Sequence, residues 1–145
     1  MENLLISACL MGTECKYSGG SNFVGEEKLA ALKAKYNLIS VCPETAGGLP
    51  TPRHPSERVG DRVVSDIGVD VTAEYMRGAE FALELAKEHC CKIALLKEKS
   101  PSCGSGEIYD GTFSHTVIAG DGVTAELLKA HGITVYGESK IEELI

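Results

Sequence analysis

Four short apolar runs punctuate the chain, each too short for a helix and bounded by turn residues. Leu4-Leu5-Ile6-Ser7-Ala8, ending at Cys9, reads as a buried strand, as do Leu38-Ile39-Ser40-Val41, Ile93-Ala94-Leu95-Leu96 and Ile133–Tyr136. Between them the apolar spacing becomes helical. Leu29, Leu32 and Tyr36 predict a short amphipathic helix. Thr72 to about His89 is the strongest helix, with Thr72 as N-cap and Tyr75, Met76, Ala79, Ala82, Leu83 and Ala86 along one face. Tyr75, Met76 and Phe81 of this helix read as packing residues. Ala125–His131 is a further helix closed by Gly132, and Lys140–Leu144 a terminal helical turn.

The second run ends at Cys42-Pro43-Glu44, where proline cannot continue a central ladder. Gly47 to Pro55 is loop, and Val63, Val64 and Ile67 give a weak strand or hairpin signal within Arg62–Asp70. Tyr109-Asp110-Gly111-Thr112-Phe113 carries the Asp-Gly signature of a tight hairpin. Strands alternating with helices predict right-handed crossovers and a parallel sheet covered on both faces. The expected fold is therefore α/β: a single Rossmann-like three-layer domain over 1–145, with about four parallel strands plus a small hairpin.

Composition fits one domain with its own core: 145 residues, 43% hydrophobic and 24% charged. Fourteen basic residues against 21 acidic ones give a net charge of −7, which excludes a duplex-DNA binder as a class. No apolar run approaches the roughly 20 residues of a membrane span. Met1-Glu2-Asn3 lacks the basic region of a signal peptide, so a cytoplasmic location is expected. In that compartment six cysteines point to metal or catalysis rather than to disulfides.

Three of the six fall at or just beyond the carboxyl ends of three predicted strands: Cys9, Cys42 and Cys103. Ligands of parallel sheets bind at that edge, and strands about 4.8 Å apart bring neighbouring ends together. Structural zinc usually takes four ligands in close pairs, and the clustered ferredoxin spacing is absent. Three scattered thiols suit an iron–sulfur cluster with one open iron; on spacing alone, zinc or three unrelated buried thiols remain open. Cys15 has three readings, a fourth ligand, a nearby sulfur acceptor or a loop thiol, of which a place near the site without ligation is preferred, and Cys90-Cys91 read as structural. Arg53, Arg58 and Arg62 either receive a phosphate or pair with the acidic surplus. His54 and His115 lie in loops near the expected site, whereas His89 and His131 sit at helix ends where a cation is favourable. Ser100 and Ser102 flank Pro101 as turn formers or as site hydroxyls.

Longer motifs run in order along nearly the whole chain. They include Ser7-Ala8-Cys9-Leu10-Met11-Gly12, Cys15-Lys16-Tyr17-Ser18-Gly19, Val41-Cys42-Pro43-Glu44-Thr45-Ala46-Gly47-Gly48-Leu49 and Pro52-Arg53. Asp70-Val71-Thr72, Gly78-Ala79-Glu80, Lys99-Ser100-Pro101-Ser102-Cys103-Gly104 and Tyr109–Phe113 continue the series. This pattern resembles the thiouracil desulfidases in their short, single-module form. The resemblance implies a 4Fe-4S cluster held by Cys9, Cys42 and Cys103, its fourth iron open to the sulfur of a thiolated pyrimidine. It implies a non-redox exchange of sulfur for oxygen, with Glu44 and Ser100 at positions used in catalysis and Ser102 as a second candidate hydroxyl. Glu44, tethered two residues after a ligand, is the candidate general base. Arg53, Cys15 and Ser21 are candidates for substrate contact. Met11, Lys16 and Ser18 stand where Leu, Arg and Asp are expected, a difference that bears on substrate choice. The implied partners are a small thiolated pyrimidine and the iron–sulfur assembly machinery, with no membrane. Two alternatives stand beside this reading: a cysteine persulfide carrier without a cluster, and a non-catalytic zinc-binding module.

Overall fold

The computed structural model of the chain describes residues 1–145. Strands β1 (Glu2–Ser7), β2 (Tyr36–Val41), β5 (Ile93–Leu96) and β8 (Thr134–Gly137) form one parallel sheet in the order β2-β1-β5-β8. Residues alternate between two buried faces, as a parallel sheet requires. Leu5, Val41, Ala94 and Leu96 pack under helices α3 (Thr72–Glu88) and α4 (Val123–Ala130) through Ala82, Leu83, Ala86, Ala125 and Leu128. Leu4, Ile6 and Leu95 face the other way, onto Leu32 of α1 (Glu26–Lys35) and onto Ile141 and Leu144 near the C-terminus. The three layers are thus those expected. The chain leaves β1 for β2 on one side and later returns to β5 on the other, so a topological switch point lies at β1.

Several local expectations are corrected. Tyr36 opens β2 rather than closing α1. Thr72 lies inside α3; the Asp70 carboxylate accepts both its backbone N–H (2.9 Å) and its hydroxyl (2.6 Å). Met76 and Phe81 are 48% and 52% exposed, because both lie off the stripe formed by Tyr75, Ala79, Ala82, Leu83 and Ala86. The weak signal at 62–70 is the second half of a hairpin, β3 (Ser56–Val59) with β4 (Arg62–Ser65), and Ile67 lies outside it, exposed. The Asp-Gly pair does not make a tight hairpin. Strands β6 (Glu107–Tyr109) and β7 (Val117–Ala119) are joined by a loop over 110–116, at whose start Asp110 accepts the Thr112 backbone N–H and hydroxyl. A four-residue helix, α2 (Pro43–Ala46), follows β2 directly, with proline at its first position.

Candidate active site

The strands that precede Cys9, Cys42 and Cys103 are the three neighbours β1, β2 and β5. Cys9 sits in the tight turn Ala8–Met11 after β1, Cys42 directly after β2, and Cys103 in the loop after β5. All three line one cavity of about 500 Å³ at the carboxyl edge of the sheet, and Cys15 lines it too. Burial pushes the Cys103 thiol up to about 12, against the Ser7 and Ser102 hydroxyls, which favour the thiolate. Cys15 is likewise pushed up to about 12 by burial and by Cys42 beside it, and burial raises Cys9 against the Asn22 amide. No three His, Cys, Asp or Glu side chains group closely enough to hold a metal ion. A 4Fe-4S cluster would not require this, since its thiolates would bind separate irons.

Glu44 stands beside these thiols because of how α2 is docked. A Cβ at Gly47 would meet the Glu74 carbonyl oxygen at 1.9 Å, and one at Gly78 would meet the Pro43 carbonyl oxygen at 1.9 Å. The two glycines let α2 and α3 touch backbone to backbone. From α3, Tyr75 donates its hydroxyl to Glu44 Oε1 at 2.5 Å, while Arg53 Nη2 donates to Glu44 Oε2. The same Nη2 donates to the Cys15 carbonyl at 2.9 Å, and Nη1 to Pro50 O and Thr51 Oγ1. The Arg53 side chain is only 5% exposed. Burial alone would lower its pKa, but the Glu44 carboxylate overrides this and the net shift is upward. Burial, and then the Glu44 carboxylate, push the Tyr75 phenol far up, so it remains a donor.

The remaining candidates separate. Ser100 lines the cleft, and its Oγ accepts the backbone N–H groups of Ser102 and Cys103, both at 3.0 Å. Ser102 is not brought to the cleft: it is fully buried, with its Oγ 2.7 Å from Thr124 Oγ1, and it ties the loop to α4. Ser21 does not line the cavity either; its neighbour Asn22 does, and Asn22 donates its backbone N–H to the Cys9 carbonyl at 3.0 Å. Arg58 and Arg62 take the acidic alternative, pairing with Glu126 at 3.0 Å and Asp70 at 2.8 Å. His54 pairs with Asp66, whereas His115 lines the cleft with its ring edge-on to Tyr109 at 5.9 Å. Cys91 is buried and Cys90 exposed, both just before β5 and so at the sheet's opposite edge. Tyr75 is the functional neighbour that periodicity hid, since a tyrosine in an apolar stripe reads as packing. Its one signal is general: a buried phenol needs a polar partner.

Fold and cleft together define a class, a Rossmann-like α/β protein with a thiol-lined cleft at the switch point of its sheet. Within it the chain belongs to the 2-thiouracil desulfurase family, whose model matches residues 4–140. It is similar to the solved structure of the 4Fe-4S-dependent thiouracil desulfidase TudS, with 50% identity and a TM-score of 0.94 over 99% of this chain and 95% of that one. It is also 42% identical over 152 aligned positions to an uncharacterised protein, YbbK, of Bacillus subtilis (strain 168), covering 98% of this chain and 99% of the relative. The resemblance read from the motifs is thereby borne out at the level of the family.

Proposed function

We propose that the chain is a 4Fe-4S-dependent desulfidase that replaces the sulfur of a thiolated pyrimidine with oxygen, and that Cys9, Cys42 and Cys103 hold the cluster. The observation that carries this reading is the meeting of those thiols at three adjacent strand ends, beside a carboxylate anchored through both oxygens. The donor set fits the group, since soft thiolates are the ligands that iron–sulfur clusters take. The similarity to TudS, a 4Fe-4S-dependent thiouracil desulfidase, supports the same reading.

When bound, the cluster supplies a Lewis-acid position for the soft thiocarbonyl sulfur. The chain's own residues handle water and protons. Glu44 accepts a proton from the water that adds to the ring carbon. Because Tyr75 and Arg53 hold the carboxylate, its free lone pairs keep one direction. The Ser100 Oγ receives two N–H groups, which leaves its own hydrogen to donate to the heterocycle or to the water. Arg53 supplies a buried positive charge beside the thiolates. Exchange of C=S for C=O with release of hydrogen sulfide leaves the ring carbon at one oxidation level, so no electron donor is consumed. The cluster itself comes from the iron–sulfur assembly machinery. No helix is long and apolar enough to cross a membrane.

Anaerobic reconstitution tests this reading. The expected product is a brown protein with about four irons and four labile sulfides per chain, from which Cys42→Ser loses both colour and turnover. A colourless protein that holds zinc, or an iron-loaded one that releases no sulfide from 2- or 4-thiouracil or their nucleotides, contradicts it.

A further inference from the structure

Four non-glycine residues have a left-handed backbone, and three of them line the cleft: Lys99 (φ 66°), Phe113 (φ 57°) and His115 (φ 60°). Side chains rarely adopt this region, and they keep it only where the surroundings over-determine it, most often at functional sites. Two of the three belong to the loop over 110–116, whose fastenings are visible. Glu57 of β3 is buried, and its Oε1 accepts the backbone N–H of Gly111 at 2.9 Å and of Phe113 at 3.1 Å. At Gly111 (φ 95°) a Cβ would meet Val59 Cγ2 at 2.5 Å, so the loop is drawn tightly against β3. Thr112, Ser114 and Thr116 link hydroxyl to hydroxyl across the turn, and the His115 ring rests on Tyr109. This loop presents to the cleft an apolar ring, Phe113, that is 36% exposed and has no aromatic partner of its own. A left-handed turn fastened by a buried carboxylate, with a half-exposed aromatic ring at a cleft, offers a fixed apolar face against which a planar ring can pack.

We propose that Phe113 is a specificity-determining residue of the cleft, the apolar face against which the pyrimidine ring lies, and that Glu57 is the positioning residue that holds it there. The proposal rests on the thiopyrimidine reading above. It predicts that the loop binds the ring whichever atom the chemistry then acts on.

The test uses the iron-loaded full chain, with KM and kcat for 2-thiouracil and amide hydrogen exchange of 110–116 with and without uracil. Phe113→Ala should raise KM about tenfold while kcat stays within about twofold, the size expected of one lost base–aromatic stack. Uracil should slow exchange of the loop in the wild type and not in Phe113→Ala. Glu57→Met should speed loop exchange and raise KM in the same direction, and Glu57→Gln, which keeps an acceptor oxygen, should restore both. An unchanged KM in Phe113→Ala, together with loop exchange indifferent to uracil, overturns the proposal. Failure of the loaded wild type to release sulfide would instead overturn the functional reading. The exchange experiments need no turnover and still decide whether the loop binds the ring.

Discussion

Glu44 illustrates what a single position can and cannot reveal. Its place two residues after Cys42 makes it a candidate base, and that was legible in the sequence. What fixes the carboxylate was not, since Tyr75 comes from a helix 31 residues away and sits in an apolar stripe. Arg53 was legible as a site residue with two readings, a phosphate or an acidic partner, and its guanidinium takes the second, committed to Glu44 and to the Cys15 carbonyl. Two serines flanking a proline look alike in sequence, yet only Ser100 lines the cleft, while the Ser102 hydroxyl lies against Thr124. Glu44→Gln should keep the iron content and lower kcat by roughly 10²–10⁴, the usual worth of a general base. Tyr75→Phe removes one of two anchors and should lower kcat by about tenfold with KM little changed. Iron analysis beside steady-state kinetics checks both, and loss of iron in either variant would assign it a structural role.

At the scale of elements, the four sheet strands were legible because each is a short apolar run bounded by turn residues; β1 and β5 at the centre of the sheet are buried on both faces, whereas β2 and β8 at its edges are partly exposed. The small hairpins were legible in part. Their limits depend on side-chain bonds such as those of Asp110, and on exposure, which spared Ile67 a place in the ladder. Helix α2 was illegible because four residues carry no periodicity. Yet its docking is among the tightest contacts in the molecule, through Gly47 and Gly78. Gly78→Ala would force a methyl group into the Pro43 carbonyl and should cost about 1–3 kcal/mol in urea unfolding. Turnover should fall further than stability explains, because α2 carries Glu44. A variant as stable and as active as wild type would show that the helices do not depend on this contact.

For the molecule as a whole, the acidic surplus has a stability consequence. The Thr72 hydroxyl and backbone N–H, with Arg62, hold the Asp70 carboxyl down at about 2; Thr112 holds Asp110 low, and the Gly106 N–H with Lys129 holds Asp121 low against its burial. Folded pKa values below the unfolded ones, roughly 3.9 for aspartate, give stability that is complete above about pH 4 and lost as pH falls toward 2. Urea midpoints measured between pH 5 and pH 2 should therefore drop, and Asp70→Asn should lower the midpoint at pH 5 while flattening the drop. An equally steep drop in that variant would remove Asp70 from the explanation.

At the same scale, all the proposed chemistry converges on one cleft, where sulfur leaves a pyrimidine and oxygen from water takes its place. Its most direct measurement is anaerobic turnover of 2-thiouracil by the iron-loaded chain in ¹⁸O-water, with no added oxidant or reductant. One sulfide released for each uracil formed, and ¹⁸O at the carbon that carried sulfur, is the expected result. Unlabelled uracil, or turnover that stops without an electron donor, would contradict it.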